Sequence, residues 1–409
     1  MKKFTTYLIE SKNTHMEHIE DNVLNGGVDG ARQSINYLRA LRDMLSGSSD
    51  TNVNVSVKWD GAPAIFAGTD PSDGQFFVAK KGIFNKNPKT YKTPEEVDAD
   101  TTGDLATKLK LALKHLPDLG IKGVIQGDFL YSKADLKTMK NKGVSYVVFH
   151  PNTIAYAVPN DISLAKTIKR SKIGIVWHTK YTGTSLESMT ASFGENIADS
   201  LTVSTSVWST DAEYQDQTGT ATFTKKETKD LTAILSSAGK VFKKIDAASL
   251  NGISADDELL MRMKTFLNTK VRKQERVSNV KSAVSEMIDY FTDYYKIETD
   301  KRKSPKGKAS VDDRKKLVMK YFSSTNKTSL EAILELMNHI VDAKLMIIKK
   351  LNQAGGLATF VRTDKGFKAV GAEGFVAIDK IGKNAVKLVD RMEFSFANFS
   401  DKVIKGWQR

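Results

Sequence analysis

This 409-residue sequence predicts an α+β fold built on antiparallel sheet and interrupted by a large α-helical insertion. Three observations predict it. Short apolar runs broken by Gly, Pro, Asn and Asp fill residues 51–225. Long segments with apolar residues three or four apart fill 226–355, and strand texture returns over 356–396. The last strands therefore complete a sheet region begun before the helical block.

The elements follow in order. After a tail over 1–12, residues 13–50 form a helical lead-in. Ala31, Ile35, Leu38, Leu41 and Leu45 fall on one helical stripe, and Gly47 supplies a stop. From residue 51, "VNVSVKW", "FFVAKK", "GVIQGDFLY", "SYVVFH", "IAYAV" and "GIVWHT" read as strands, with "GDLATKLKLALKHL" a helix among them. In the helical block, "TAILSSAGKVFKKI", "ADDELLMRMKTFLNTKV", "VSEMIDYFTDYYKIET" and "LEAILELMNHIVDAKLMIIKKL" are amphipathic helices. The basic, Pro- and Gly-containing "DKRKSPKGKASVDDRKK" between them reads as an exposed loop. "ATFVRT", "EGFVAID" and "AVKLVD" are the returning strands, and 397–409 is a C-terminal tail.

Composition narrows the function. The chain has no cysteine, which excludes disulfides, thiolate zinc sites and cysteine nucleophiles. Its six histidines show no ligand spacing. No apolar run is long enough to span a bilayer, so no membrane partner is expected. A net charge of +14 favours a polyanionic partner, nucleic acid first.

One stretch asks for chemistry. In "VSVKWDGAPA" a strand runs into Lys58, followed by Trp59, Asp60 and Gly61. A strand end holds a lysine rigidly, and a neutral lysine is a nucleophile. Cations brought near it would favour the neutral form and balance charge on a reacting phosphate. Asp60, two residues on, is an oxygen donor suited to a ribose hydroxyl or to Mg²⁺. Gly61 and Gly82 let backbone approach a ligand closely. Trp177-His178 reads as core and strand edge, and the rings of "DYFTDYYKI" as helix packing.

These pieces, in this order, resemble the motifs of the covalent nucleotidyltransferases: ATP-dependent DNA and RNA ligases and mRNA capping enzymes. Lys58-Trp59-Asp60-Gly61 resembles the first motif, Lys81-Gly82 the second and Gly127-Asp128 the third, where the family usually has Gly-Glu. "YVVFHP" resembles the next strand and nominates Phe149 for base stacking. Glu373-Gly374 matches the fourth motif, and Lys387 takes the lysine position of the fifth. Val389 stands where the family often has a second lysine, with Lys383 and Arg391 as substitute cations.

The resemblance implies a ligase adenylation-domain fold and ATP and Mg²⁺ (or Mn²⁺) as cofactors. Lys58 would be the nucleophile that becomes lysyl-AMP. Asp60, Gly61, Lys81, Gly82, Asp128, Phe149, Glu373 and Lys387 would bind nucleotide, and Asp128 and Glu373 the metal. Only 19 residues follow Asp390, so no C-terminal oligonucleotide-binding barrel is expected. That favours RNA over DNA as substrate, with the helical block gripping it through its basic stretch. A DNA ligase whose helical block replaces the barrel is the alternative, as is a non-catalytic nucleotide- or nucleic-acid-binding protein.

The wider chain also resembles an uncharacterised family of large tailed bacteriophages, which places it in the host cytoplasm during infection. "MKKFTTYLIE" is similar to the capsid-targeting leaders of internal head proteins, on Phe4, Tyr7, Leu8 and Glu10. That resemblance implies cleavage after Glu10, a capsid-scaffold partner and packaging in the virion head.

Overall fold

A computed structural model describes residues 17–47, 53–85, 87–141, 143–193, 196–212, 222–353, 358–363, 366–369, 373–379 and 385–406. The leader-like segment over 1–12 lies outside the described residues.

The chain opens with α1 (Asn22–Asn25) and α2 (Gly27–Leu45), then β1 (Val53–Lys58), β2 (Ala64–Thr69) and β3 (Phe76–Ala79). Two helices follow, α3 (Pro94–Asp100) and α4 (Gly103–His115). Thr93 and Glu96 start α3 with reciprocal side-chain–backbone bonds, and Pro94 pre-sets its first turn. Next come β4 (Val124–Ser132), β5 (Lys137–Asn141), β6 (Val144–Phe149) and β7 (Ile154–Pro159). The short α5 (Ser163–Arg170) leads to β8 (Ile173–Thr182), β9 (Thr190–Phe193) and β10 (Val207–Asp211).

The helical block is α6 (Lys225–Phe242), α7 (Ala247–Ser254), α8 (Asp257–Arg272), α9 (Val280–Asp300), α10 (Pro305–Met319) and α11 (Ser324–Gln353). The chain then returns through β11 (Ala358–Thr363), β12 (Gly366–Ala369), β13 (Gly374–Asp379) and β14 (Ala385–Leu388) to α12 (Arg391–Phe399) and β15 (Val403–Ile404).

One expectation is corrected here. Most of the basic stretch taken for a loop is helix α10. Ser304 accepts a bond from the Gly307 amide as N-cap, and Pro305 sits where its missing N–H costs nothing. Punctuation by Ser and Pro marked a helix start, not an open loop.

Three sheets form. The first has the order β1-β13-β14, the second β10-β8-β4-β2-β3 with β9 beside β8, and the third β12-β11-β7-β6-β5 with β15 beside β11. Among the strand pairs of the described residues only β10–β8 is parallel, and His18 adds a parallel bridge to Lys387. As expected, C-terminal strands complete sheets begun early in the chain. They enter two of them, β13 and β14 beside β1, and β11 and β12 beside β7.

The main core redraws the expected boundaries. Ile35, Leu38 and Leu41 of α2 share one buried cluster with Leu235, Phe291 and Ile340 of the helical block. Val55, Phe375, Ala377, Val386 and Leu388 of the first sheet belong to the same cluster. The lead-in is thus part of the helical body, and the strand carrying Lys58 leans on it. Phe291 and Tyr295 are buried, so half of the aromatic quartet in α9 packs as expected.

Candidate active site

Strand alternation decides which side chains meet. Lys58 is paired with Gly374, and Lys387 with Val376, which lie two apart on β13. Residues two apart share a face, so Lys58 and Lys387 rise from one side of the first sheet. The alternate positions, Val55, Phe375, Ala377, Val386 and Leu388, are buried in the helical core. The run "VNVSVK" is therefore a strand with one apolar face against helices and one polar face toward a cleft.

On that polar face the Lys58 ammonium forms a close ion pair with Glu373, whose side chain is only 7% exposed. Burial pushes the Glu373 carboxyl up to about 7, against the pull of Lys58 and with a further push from Asp60. Asp128 projects from the middle of β4. Burial raises it to about 7 as well; Lys58 opposes the shift, while Glu373 and Asp60 add to it. Burial lowers Lys387, and the Lys58 charge lowers it further. Lysines and carboxylates from four distant stretches thus feel one another in one shielded space.

Asp60 has a different task from the expected one. Its carboxylate accepts bonds from Asn152 Nδ2 at 2.6 Å and from the Thr153 and Ile154 amides at 2.6 and 2.7 Å. Its own amide donates to the Tyr156 hydroxyl at 2.7 Å. These bonds tie the turn after Lys58 to the loop between β6 and β7, so Asp60 positions the strand end. Gly61 is required for contact rather than for a turn, since a Cβ there would lie 2.4 Å from Asp128 Cβ. Lys81 and Gly82 open a short 3-10 turn after β3, with Lys81 exposed. The Lys81 charge reaches Lys387.

Phe149 is corrected. It is 1% exposed, stacked on Tyr156 at 5.4 Å and packed against Tyr131 at 5.1 Å. A ring enclosed on both faces is core and offers no base a surface. Arg391 is no substitute phosphate cation either, because it is turned to Asp21 at 2.8 Å and also bonds Asn268. Lys383 lies outside the described residues.

Two site neighbours were not expected. His178 Nε2 lies 3.9 Å from Asp128 Oδ2, while Nδ1 bonds the Thr179 hydroxyl at 2.7 Å. Burial, with Lys58 adding to it, lowers this imidazole to about 4, so it is neutral at pH 7. The β4–β8 register slips here, with Gln126 opposite Thr179 and Gly127 opposite Trp177. His178 is the extra residue of that bulge, a feature common beside functional sites. The other neighbour is α12. Phe394 places its ring 5.9 Å from Lys58 Nζ. Glu393, Phe394, Ala397 and Asn398 line one wall of a cleft whose other wall includes Asp60, Ile154 and Glu373.

Among the described residues no three His, Cys, Asp or Glu side chains gather to hold a metal alone. Two acids still fit Mg²⁺, which commonly binds one or two carboxylates and takes its remaining oxygens from water and phosphates.

Fold and site together define a mixed α/β protein with a shielded lysine–carboxylate cleft between sheets. Residues 13–403 match the family described as "Family of unknown function (DUF6267)", and the chain belongs to it. No curated protein and no solved structure matches the chain significantly. No described helix is long and apolar enough to cross a membrane.

Proposed function

We propose that this protein is an ATP-dependent polynucleotide ligase of the covalent nucleotidyltransferase type, with RNA as the favoured substrate. The observation that carries the reading is the Lys58–Glu373 ion pair with Asp128 beside it. Residues far apart in sequence, nominated by the family resemblance, interact with one another.

In the first step the Lys58 amine forms a bond to the α-phosphorus of ATP, the bond to the pyrophosphate oxygen breaks, and the ammonium proton is lost. Glu373, a carboxylate titrating near neutrality and already paired with Lys58, is positioned to receive that proton. Lys387 rises from the same sheet face to offset phosphate charge. Asp128 and Glu373 would hold Mg²⁺ together with the triphosphate, supplying further charge neutralisation. In the second step an oxygen of a 5′-phosphate end bonds to the α-phosphorus, the Lys58 N–P bond breaks and Lys58 regains a proton; in the third a 3′-hydroxyl bonds to the activated 5′-phosphate, loses its proton and AMP leaves.

The test is incubation with α-labelled ATP and Mg²⁺, followed by peptide mapping. Label on Lys58, lost in Lys58→Ala, is the expected result. A wild-type protein that takes no label, or labels elsewhere, overturns the enzymatic reading and leaves a binding protein.

A further inference from the structure

Residues 132–172 contain eight Lys or Arg and two Asp, a strong local bias. Within them α5 buries Ala165 and Ile168 against the third sheet and turns Lys166, Lys169 and Arg170 outward. Those three are spaced three and four apart, so they share one helical face. Lys172 follows two residues after the helix, and its carbonyl accepts a bond from the Lys133 amide at 2.7 Å. Five exposed cations thus occupy one small surface.

None of the five makes an ion pair among the described residues. The two nearby acids do not neutralise them. Asp135 is engaged by the Ser132 amide and hydroxyl, both at 2.8 Å, and Asp161 precedes α5 at its opposite end. The helix dipole accounts for cations in the last turn, Lys169 and Arg170, but not for Lys133, Lys166 and Lys172.

The contrast with α10 is informative. Around α10 half of the cations are paired, Lys301 and Arg302 with Glu298, Arg314 with Asp256 and Glu258, and Lys316 with Asp313, while Lys303, Lys306, Lys308 and Lys315 make no ion pair among the described residues. A surface that leaves its cations unpaired carries a standing electrostatic cost, which a polyanion removes.

We propose that the outer face of α5, with Lys133 and Lys172, is a docking surface for the phosphate backbone of a polynucleotide. This replaces the helical block as the main nucleic-acid contact. Strand β4 links the surface to the cleft: Lys133 lies five residues beyond Asp128, roughly 17 Å along an extended chain. That is about five stacked nucleotides. The proposal rests on the polynucleotide half of the functional reading and not on nucleotidyl transfer.

The test is fluorescence anisotropy of a labelled single-stranded RNA oligonucleotide, with single-stranded DNA alongside, over a range of salt. Lys166→Gln, Lys169→Gln and Arg170→Gln together should weaken binding about tenfold or more and reduce the log–log salt slope by about 2. A matched triple variant on α10, Lys306→Gln, Lys308→Gln and Lys315→Gln, should change affinity less than about threefold. Unchanged thermal melting verifies that both variants fold. Equal losses in both variants, full affinity in the α5 variant, or a wild-type protein that binds neither polymer would overturn the proposal. Labelling of Lys58 is read separately on the wild-type protein, so the two readings fail independently.

Discussion

Asp128 and Glu373 both hold protons near neutrality because burial disfavours their charged forms. A carboxyl raised from its ordinary value to about 7 binds its proton more tightly folded than unfolded between about pH 4 and 7. Its contribution to stability is therefore full at the acid end and declines as pH rises through 7. Asp128→Asn removes that decline. Without divalent cations, the variant's stability relative to wild type should be higher at pH 8 than at pH 5 by on the order of 1–3 kcal/mol. Melting curves at the two pH values decide it; an equal offset at both would show that the carboxyl is not the cause. Adduct formation should fall in the same variant. At Asp60 the expectation runs the other way. Asp60→Ala leaves three donors without their acceptor and should cost at least about 3 kcal/mol in urea unfolding. A loss below 1 kcal/mol would mean that solvent replaces those bonds. The sequence exposed Lys58 because a lysine at the end of an apolar strand needs a reason, and Asp128 and Glu373 through their resemblance to nucleotidyltransferase motifs. It misjudged Phe149, because an aromatic on a strand reads the same whether it faces a ligand or a core. His178 was hidden by the bulge, since strict alternation carries no sign of a register slip.

At the scale of elements, α12 was invisible to sequence reading and closes the cleft. Its start is fixed by Asp390, which accepts from the Met392 and Glu393 amides. Arg391 then fastens it to Asp21 at 2.8 Å, beside the Lys344–Glu20 pair at 2.6 Å, where both side chains are almost wholly buried. Removing one partner of such a pair leaves a charge stranded, at a cost of roughly 3–5 kcal/mol. Lys344→Met should therefore destabilise the fold by about that amount. Lys344→Met with Glu20→Leu should recover much of it, as read by a double-mutant cycle. Arg391→Gln should loosen α12 first, seen as faster amide exchange over residues 391–399 than elsewhere. Uniform exchange across the chain would show that α12 is held by its apolar contacts instead. A helix of nine residues is too short to show a clear period in sequence, whereas the 30-residue α11 could hardly be missed.

For the whole molecule the sequence separated helical from strand texture correctly but could not say what packs on what. Periodicity shows that a face is buried, not which neighbour buries it. The shared core of α2, the helical block and the first sheet has a testable consequence. All four tryptophans, at 59, 177, 208 and 407, lie outside the helical block, so their fluorescence reports on the rest of the chain. Far-UV circular dichroism is dominated by the helices. The two signals should change together in urea. Two separated transitions would mean that the helical block is an independent unit. By the same logic, deleting residues 226–353 should abolish folding and Lys58 labelling together.

The pairing of β1 with β13 also sets a timetable for synthesis. Lys58 leaves the ribosome early, but its partner Glu373 is made about 315 residues later, some 15–60 s at ordinary rates of translation. During that interval the first strand has no neighbour in its own sheet, while the helices that will support it can already collapse. A nascent or truncated chain therefore carries the lysine without the acid that attends it. Synthesis of β13 and Glu373, rather than emergence of Lys58, sets the earliest moment at which the cleft can exist.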